Sequence, residues 1–348
     1  MKKIITLIQS EAWIDYVKRS ANHDFYHTWT YHSLDESGIP LLFVYEEEAD
    51  FIAFPLIKRD IPDSEYYDFS SVYGYSGPIS NKSFKDLDIE FIKRFKHSFL
   101  SFLSQEKIVS IFTRLHPFFD QEILLQHFGG LWNNGKVIAL DLSISLEEQR
   151  SKYQNRVLRQ VKQMNRKGYS AKQAHGLEDI RIFNAMYTAN MLRLDASKSY
   201  MFSEQYFVDL LHSKEVDARL LFVYNEDGYP ICGAIVVFTN KLIQAHLLAT
   251  KQEYYAESPA KLLTDEITIL GRKLGMKYYN LGGGLGFKED SLFTWKMAFS
   301  RLTFNYQSWR FIVNQSAYND LLYDLDIDPK SSVDLFPLYR SRVLQPIS

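Results

Sequence analysis

The sequence predicts a mixed-sheet α/β protein made of two related domains. Three observations carry that prediction: a strand motif that occurs twice, the same order of elements after each copy, and enough apolar residues for two cores. The motif Leu41-Leu42-Phe43-Val44-Tyr45 returns unchanged as Leu220-Leu221-Phe222-Val223-Tyr224, 179 residues later. Extended without a gap, 41–57 and 220–236 match at 7 of 17 positions, adding Glu47 with Glu226 and Ile52 with Ile231. The competing explanation is that two buried hairpins share common strand residues by chance. With 348 residues the chain suits two domains of roughly 100–200 residues each. A composition that is 46% hydrophobic and 15% aromatic excludes disorder, because burial can offset the entropy of ordering.

The opening Lys2–Ile8 imitates a signal peptide, but its apolar core stops at Gln9, Ser10 and Glu11 with no small-residue cleavage site. It reads as a first strand of a cytosolic protein. Each repeat copy is a strand, a polar turn (Glu46–Asp50, Asn225–Gly228) and a second apolar strand, the pattern of a hairpin. After the first come another strand, a loop Tyr73–Pro78, a helix near Phe84–Ser104 and a strand Ile108–Thr113. After the second come a strand Leu242–Ala249, a loop with Ser258-Pro259, a helix near Ala260–Leu274 and a strand Lys277–Leu281. Hairpins feeding a helical crossover give a mixed sheet, not a doubly wound parallel one. Helical periodicity at Ile180–Leu192 and Glu204–His212 supplies helices for the other sheet face.

Several function classes are excluded. Cys232 is the single cysteine, so there is no disulfide framework, and no Cys/His group has zinc spacing. His23 and His27, four apart, would suit a metal on a helix, but no carboxylate or thiolate joins them, so no metal is expected. A net charge of -2, from 40 Lys+Arg against 42 Asp+Glu, argues against a DNA binder. The longest uncharged apolar stretch, about Ile231–Phe238, is far below the roughly 20 residues of a membrane span.

Two segments point to chemistry. Gly282, Gly283 and Gly284 end a strand, where backbone N–H groups can approach a ligand and cradle an anion. Position 287 is Phe287, so the run is no dinucleotide fingerprint, and no Gly-Lys-Ser/Thr makes it a phosphate loop. A tight turn or bulge is the structural alternative. The second segment, Arg150–Lys167, reads as one basic helix closed by Gly168. It holds Arg150, Lys152, Arg156, Arg159, Lys162, Arg166 and Lys167 and no carboxylate. Val157, Val161 and Met164 make its buried stripe. Arg156 and Arg159, with Lys152 one turn earlier, lie on another face able to fork onto phosphate. A merely solvated helix is the alternative, although solvated helices usually mix signs.

At these residues the chain resembles the FemABX-like transferases, a tandem branch of the GNAT acyltransferase superfamily. Gln154–Gly168 is similar to that family's Arg-rich opening helix, and Leu281–Phe299 to its closing Gly-Gly-Gly…Leu-Phe-x-x-Lys-x-x-Phe signature. Asp24–Trp29 and Tyr75-Ser76-Gly77-Pro78 resemble parts of its first domain.

The resemblance implies two GNAT-like domains: 1–145, completed by a C-terminal tail 318–348, and 146–317. It implies transfer of an aminoacyl group from tRNA to an amine of a phosphate-bearing peptidoglycan precursor, with related branches using acyl-CoA or acyl carrier protein as donor and no bound cofactor. By position, Lys296 would meet acceptor phosphate, Arg156 and Arg159 would flank the same groove, and Tyr75 with Gly77 would line it from the first domain. The loop Glu253–Ala260 has no glycine where an ordinary GNAT enzyme cradles the CoA pyrophosphate, which weakens the CoA reading. The protein would be cytoplasmic, at most peripheral at the inner membrane face.

Aminolysis of an ester or thioester needs a neutral amine, donors for the oxyanion and a route for the proton. Backbone N–H groups at a splayed strand or at the glycine run are the expected donors. The base is not identifiable: His246, Glu257 and Asp290 are candidates, each with a structural alternative. Two other classes remain open. One is an acyl-CoA- or carrier-dependent N-acyltransferase acting on an amino sugar of a surface polysaccharide. The other is a non-catalytic GNAT module that binds an envelope precursor.

Overall fold

The computed structural model describes residues 1–197 and 200–344. In chain order the strands are β1 (Lys2–Thr6), β2 (Ile39–Glu47), β3 (Asp50–Asp60), β4 (Tyr67–Ser70), β5 (Ile79–Ser80), β6 (Ile108–Arg114), β7 (Leu131–Asp141), β8 (Ser170–Ala174), β9 (Asp217–Tyr224), β10 (Pro230–Thr239), β11 (Leu242–Thr250), β12 (Tyr278–Gly282) and β13 (Thr303–Ile312). The helices are α1 (Ser10–Arg19), α2 (Trp29–Ser33), α3 (Ile89–Gln105), α4 (Gln121–Leu125), α5 (Leu146–Ser151), α6 (Asn155–Arg166), α7 (Leu177–Arg193), α8 (Glu204–His212), α9 (Pro259–Lys273), α10 (Ser291–Met297) and α11 (Gln315–Asp324). Among the described residues no helix is long and apolar enough to cross a membrane.

The chain divides into two compact units, one of Met1–Asn134 with the segment from Asn305 onward, the other of Gly135–Phe304. The seams fall inside β7 and β13, whereas the sequence placed them at 145/146 and 317/318. The last four residues of the expected tail, 345–348, lie outside the described residues.

In the first unit the sheet runs β1-β2-β3-β4-β6-β13, with β5 also paired to β3. All neighbours are antiparallel except β4 and β6, which α3 joins. A parallel pair cannot be closed by a tight turn, so a helical crossover is obligatory there. Asp88 caps α3 by accepting from the Phe91 amide at 3.0 Å. Its Phe91, Phe95, Phe99 and Phe102 then recur at helical spacing, all buried against Phe43, Phe54 and Phe69 of the sheet.

In the second unit the order is β8-β9-β10-β11-β12-β7, again antiparallel except for one parallel pair, β11 and β12, joined by α9. The two sheets therefore share one plan. The hairpin register repeats too: Leu41 faces Leu56 as Leu220 faces Ile235, and Phe43 faces Phe54 as Phe222 faces Gly233. That is the offset of the ungapped sequence match. Gly233 has its own reason: a Cβ there would lie 2.6 Å from Phe222 and 2.9 Å from Phe183. Both sheets also take their last strand from distant sequence, β13 beside β6 and β7 beside β12.

Two sequence expectations are corrected. Arg150–Lys167 is not one helix: α5 ends at Ser151 and α6 starts at Asn155, with Gln154 extended between them. The Gln154 amide donates to the Ala298 carbonyl at 2.8 Å, so the break fixes the start of α6 against the end of α10. Lys152 therefore caps α5 and does not share a face with Arg156 and Arg159. His23 and His27 are not on a helix either. His27 ends a short turn, Phe25–His27, that Asp24 caps, and burial holds its imidazole neutral.

Asp68 of β4 is a buried carboxylate that ties the late chain to the first unit. It accepts from Arg59 at 2.8 Å, from Arg340 at 2.6 Å and from the Tyr339 hydroxyl at 3.1 Å. Asp68→Ala leaves two guanidinium groups without their counter-charge. Removing one partner of such a buried pair costs about 3–5 kcal/mol. Denaturant unfolding of the variant should show a loss of that size.

Candidate active site

The second unit brings the glycine run, the signature lysine and the basic helix into one neighbourhood. β11 and β12 are registered over three pairs only, Leu242 with Tyr278, Ile243 with Tyr279 and Gln244 with Asn280, after which they part. At that last pair the Asn280 side-chain amide donates to Gln244 Oε1 at 2.8 Å, and both side chains are buried. Asn280 Oδ1 in turn accepts from the Gly282 amide at 2.9 Å, turning the chain out of the strand with a left-handed φ of 73°.

The loop that follows is held by two charged groups. Asp290 caps α10: it accepts from the Phe293 amide at 2.8 Å and also from the Leu285 amide at 2.9 Å. These backbone donors hold its carboxyl below the usual carboxylate range. Lys296 donates to the Gly283 carbonyl at 2.5 Å. The residue as a whole is half-buried, but its ammonium end is enclosed, and lost hydration pulls its pKa down to about 8, against a smaller opposing pull from Asp290. Gly284 is a steric requirement, since a Cβ would lie 2.0 Å from the Lys288 carbonyl and 2.3 Å from Asp290 Oδ1.

Beside this loop, α6 packs on α9 with Val157, Val161 and Met164 buried, as their spacing predicts. The segment lacks carboxylates of its own, yet three of its cations find them elsewhere. Arg150 forks onto Asp265, Lys152 meets Glu148 at 2.9 Å, and Lys167 meets Glu257 at 2.8 Å. Arg156, Arg159, Lys162 and Arg166 make no ion pair among the described residues. Lys261, buried at the first turn of α9 and bonded to Gln160, has its pKa lowered by burial and then by Arg156. Lys261 and Arg156 are thus near enough to repel one another. Lys261 and Asn280 adjoin the candidate site and were not singled out by sequence reasoning, because nothing local marks a buried lysine or a strand-end amide as special.

The three acid–base candidates are all structurally engaged. Glu257 accepts from Lys167 and, at 3.0 Å, from the Tyr169 hydroxyl, and the Lys167 bond lowers its pKa. Asp290 is the cap just described. His246 is the extra residue of a β-bulge, between Ala245 facing Val236 and Leu247 facing Ile235. Its Nε2 lies 2.7 Å from the Tyr206 hydroxyl, and burial lowers its pKa to about 3, so the imidazole is neutral near pH 7. The Cys232 thiol is pushed up to about 12 by burial and is no nucleophile.

Tyr75 and Gly77 belong to the first unit. Tyr75 is buried edge-on against Tyr26 and Tyr306. Gly77 has a φ of 101°, and Gln121 pins its loop by donating to the Ser76 and Pro78 carbonyls at 2.8 and 3.0 Å. The loop is thus anchored on both sides of Gly77. His116 of the same unit contacts Asp24 at 2.8 Å with both side chains fully buried.

Residues 151–296 match the family described as acetyltransferase (GNAT) domain. The second unit is a GNAT domain. Among solved structures, FemX is 14% identical, with 92% of this chain and 99% of that chain covered and a TM-score of 0.68. L-PGS from Bacillus licheniformis is 12% identical, with 91% and 96% covered and a TM-score of 0.59. A comparison with curated proteins finds no match. The chain thus carries a GNAT acetyltransferase domain over residues 151–296 and has a fold like that of FemX; the parted strands, the glycine run and Lys296 all fall within or at the edge of the matched domain.

Gly284→Ala forces the loop open. Transfer activity should drop by more than about ten-fold through misplacement of the site. Gly228→Ala, at a left-handed position with open space around it, should leave activity intact. Circular dichroism checks that both variants keep their secondary structure.

Proposed function

We propose that this acyltransferase moves an aminoacyl group onto an amine of a phosphate-bearing cell-envelope precursor. The observation that carries the reading is Lys296: an ammonium drawn into the structure, fixed on the glycine run where β11 and β12 part, and adjoining through the Gln154–Ala298 bond a helix with unpaired arginines. Such a group meets a phosphate as a point charge, while Arg156 and Arg159 offer planar forks to further oxygens.

For the donor, an aminoacyl ester of tRNA fits better than acyl-CoA. The segment before α9 is a short helical turn, Gln252–Glu257, followed by Ser258 in a left-handed conformation. Tyr255 and Glu257 there are tied to Asn190 and Lys167. A pyrophosphate seat needs converging backbone amides, and this segment is filled by side chains instead.

In the reaction the amine nitrogen attacks the ester carbonyl, a tetrahedral oxyanion forms, the ester C–O bond breaks and the amine loses a proton. Backbone N–H groups of β11 beyond Gln244, released from pairing with β12, are the proposed oxyanion donors. Positioning by the cations supplies the remaining acceleration, so no strong base need belong to the protein. The departing ribose oxygen can take up the proton the amine gives up, which balances the step.

Two measurements test this. Labelled aminoacyl-tRNA with an amine-bearing nucleotide-linked precursor should give a stable amide product, whereas acyl-CoA should not. Arg159→Ala should weaken precursor binding by about ten-fold, the worth of a charge-assisted hydrogen bond; unchanged affinity would sink the reading. The pH dependence is a further check. Lys296 is charged below about 8 and loses its charge above it. Precursor affinity, which does not depend on deprotonating the acceptor amine, should fall as pH rises through that value. Lys296→Arg, which stays charged, should move that limb to higher pH.

A further inference from the structure

Resting on the aminoacyl-tRNA reading of the donor, we propose that the solvent face of α6 docks the phosphate backbone of a double-helical RNA arm. Lys162 and Arg166 are its contacts, beyond the two arginines nearer the glycine run. Charge is unevenly divided along the chain. Gly135–Phe304 holds 23 Lys+Arg against 18 Asp+Glu, while the remaining residues hold 17 against 24. The near-neutral total therefore conceals a basic second unit and an acidic remainder, the kind of asymmetry that accompanies nucleic-acid binding.

Within the second unit four unpaired cations gather on one helix face. Val157, Val161 and Met164 fix the inward side of α6. At about 100° per residue, Arg159 and Arg166 fall within about 20° of one another on the opposite side, and Arg156 and Lys162 lie about 60° to either side of Arg159. All four are exposed, and none makes an ion pair among the described residues. The helix has no carboxylate, and its other exposed positions, Asn155, Gln163 and Asn165, are neutral amides. Such amides add hydrogen bonds to phosphate and sugar.

The length of this stripe selects a polymer. The Gln154 amide fixes the start of α6 against Ala298, and Arg166 lies about 18 Å further along the axis at about 1.5 Å per residue. Phosphates grouped on one headgroup at the start of the helix do not reach it. A nucleic-acid duplex, with one phosphate charge per about 1.7 Å of axis, matches the whole stripe. A membrane fits worse. Interfacial helices turn an apolar face to the lipid, whereas that of α6 is committed to the core. The exposed positions of α6 also hold no aromatic ring on which unpaired bases could stack, which favours a duplex over a single strand. Side chains cannot read the deep, narrow major groove of duplex RNA, so the contacts fall on phosphates and carry no sequence preference.

The test measures binding of deacylated tRNA to the full-length protein by fluorescence anisotropy, from about 50 to about 200 mM salt, so that no transfer step is involved. Saturable, strongly salt-dependent binding is expected. Lys162→Ala combined with Arg166→Ala, at exposed positions where alanine suits a helix, should weaken it about ten-fold and flatten the slope of log affinity against log salt by about two. Lys214→Ala combined with Lys273→Ala removes the same charge from exposed positions outside α6 that make no ion pair among the described residues, and should change affinity by less than about two-fold. Vesicles containing anionic lipid should bind more weakly than tRNA. Unchanged affinity and slope in the α6 variant, an equal loss in the control pair, no saturable binding up to about 100 μM, or tighter binding to the vesicles overturns the proposal. Transfer assays separate this failure from that of the donor reading. If aminoacyl-tRNA yields amide and the α6 variant keeps the parent's KM for it, the docking face falls and the donor reading stands. If no amide forms while tRNA binding still depends on Lys162 and Arg166, the docking face stands and the donor reading falls.

Discussion

The short parallel pairing of β11 and β12 is the constraint on which the second unit turns. Two strands that run the same way must be connected by a helix, so α9 follows from the pairing. Because only three residue pairs are registered, backbone beyond them is released from the sheet at the point where the chain also turns through its glycines. Buried amides left without partners are costly. The Asn280–Gln244 bond closes the last registered pair with side chains, so the strands part at a defined position. Within the second unit, the glycine run and Lys296 are arranged around that point.

The loop at this point balances two opposite charges without joining them. Asp290 is spent on backbone donors and Lys296 on a backbone carbonyl, so neither neutralises the other by direct contact. The result is a lysine whose ammonium lacks hydration and has a carbonyl in place of a carboxylate.

Much of the fold was legible in the sequence because it is written in local patterns. The ungapped repeat gave the hairpin register, and Val157, Val161 and Met164 marked the buried face of α6. What local pattern could not give was tertiary pairing. The break at Lys152–Gln154 has no proline or glycine to announce it and is set by Ala298, far along the chain. The carboxylates that engage Arg150 and Lys167 lie on α9 and just before it, so a segment that looks uniformly unpaired is so only in part. Lys261 looks like any helix-surface lysine until α6 is laid against it. The contact of Lys296 with the glycine run was legible because a signature links them at fixed spacing, whereas Asn280, outside the glycine run, carried no comparable signal.

The late arrival of β13 has a consequence for synthesis on the ribosome. β6 is complete early, but its neighbour β13 and the arginine that meets Asp68 come only after residue 304. Until then the first unit presents an open sheet edge and a buried acid lacking one of its guanidinium partners. Edges of that kind recruit other strands. The nascent N-terminal half therefore carries an unpaired β6 edge for as long as translation of the second unit takes.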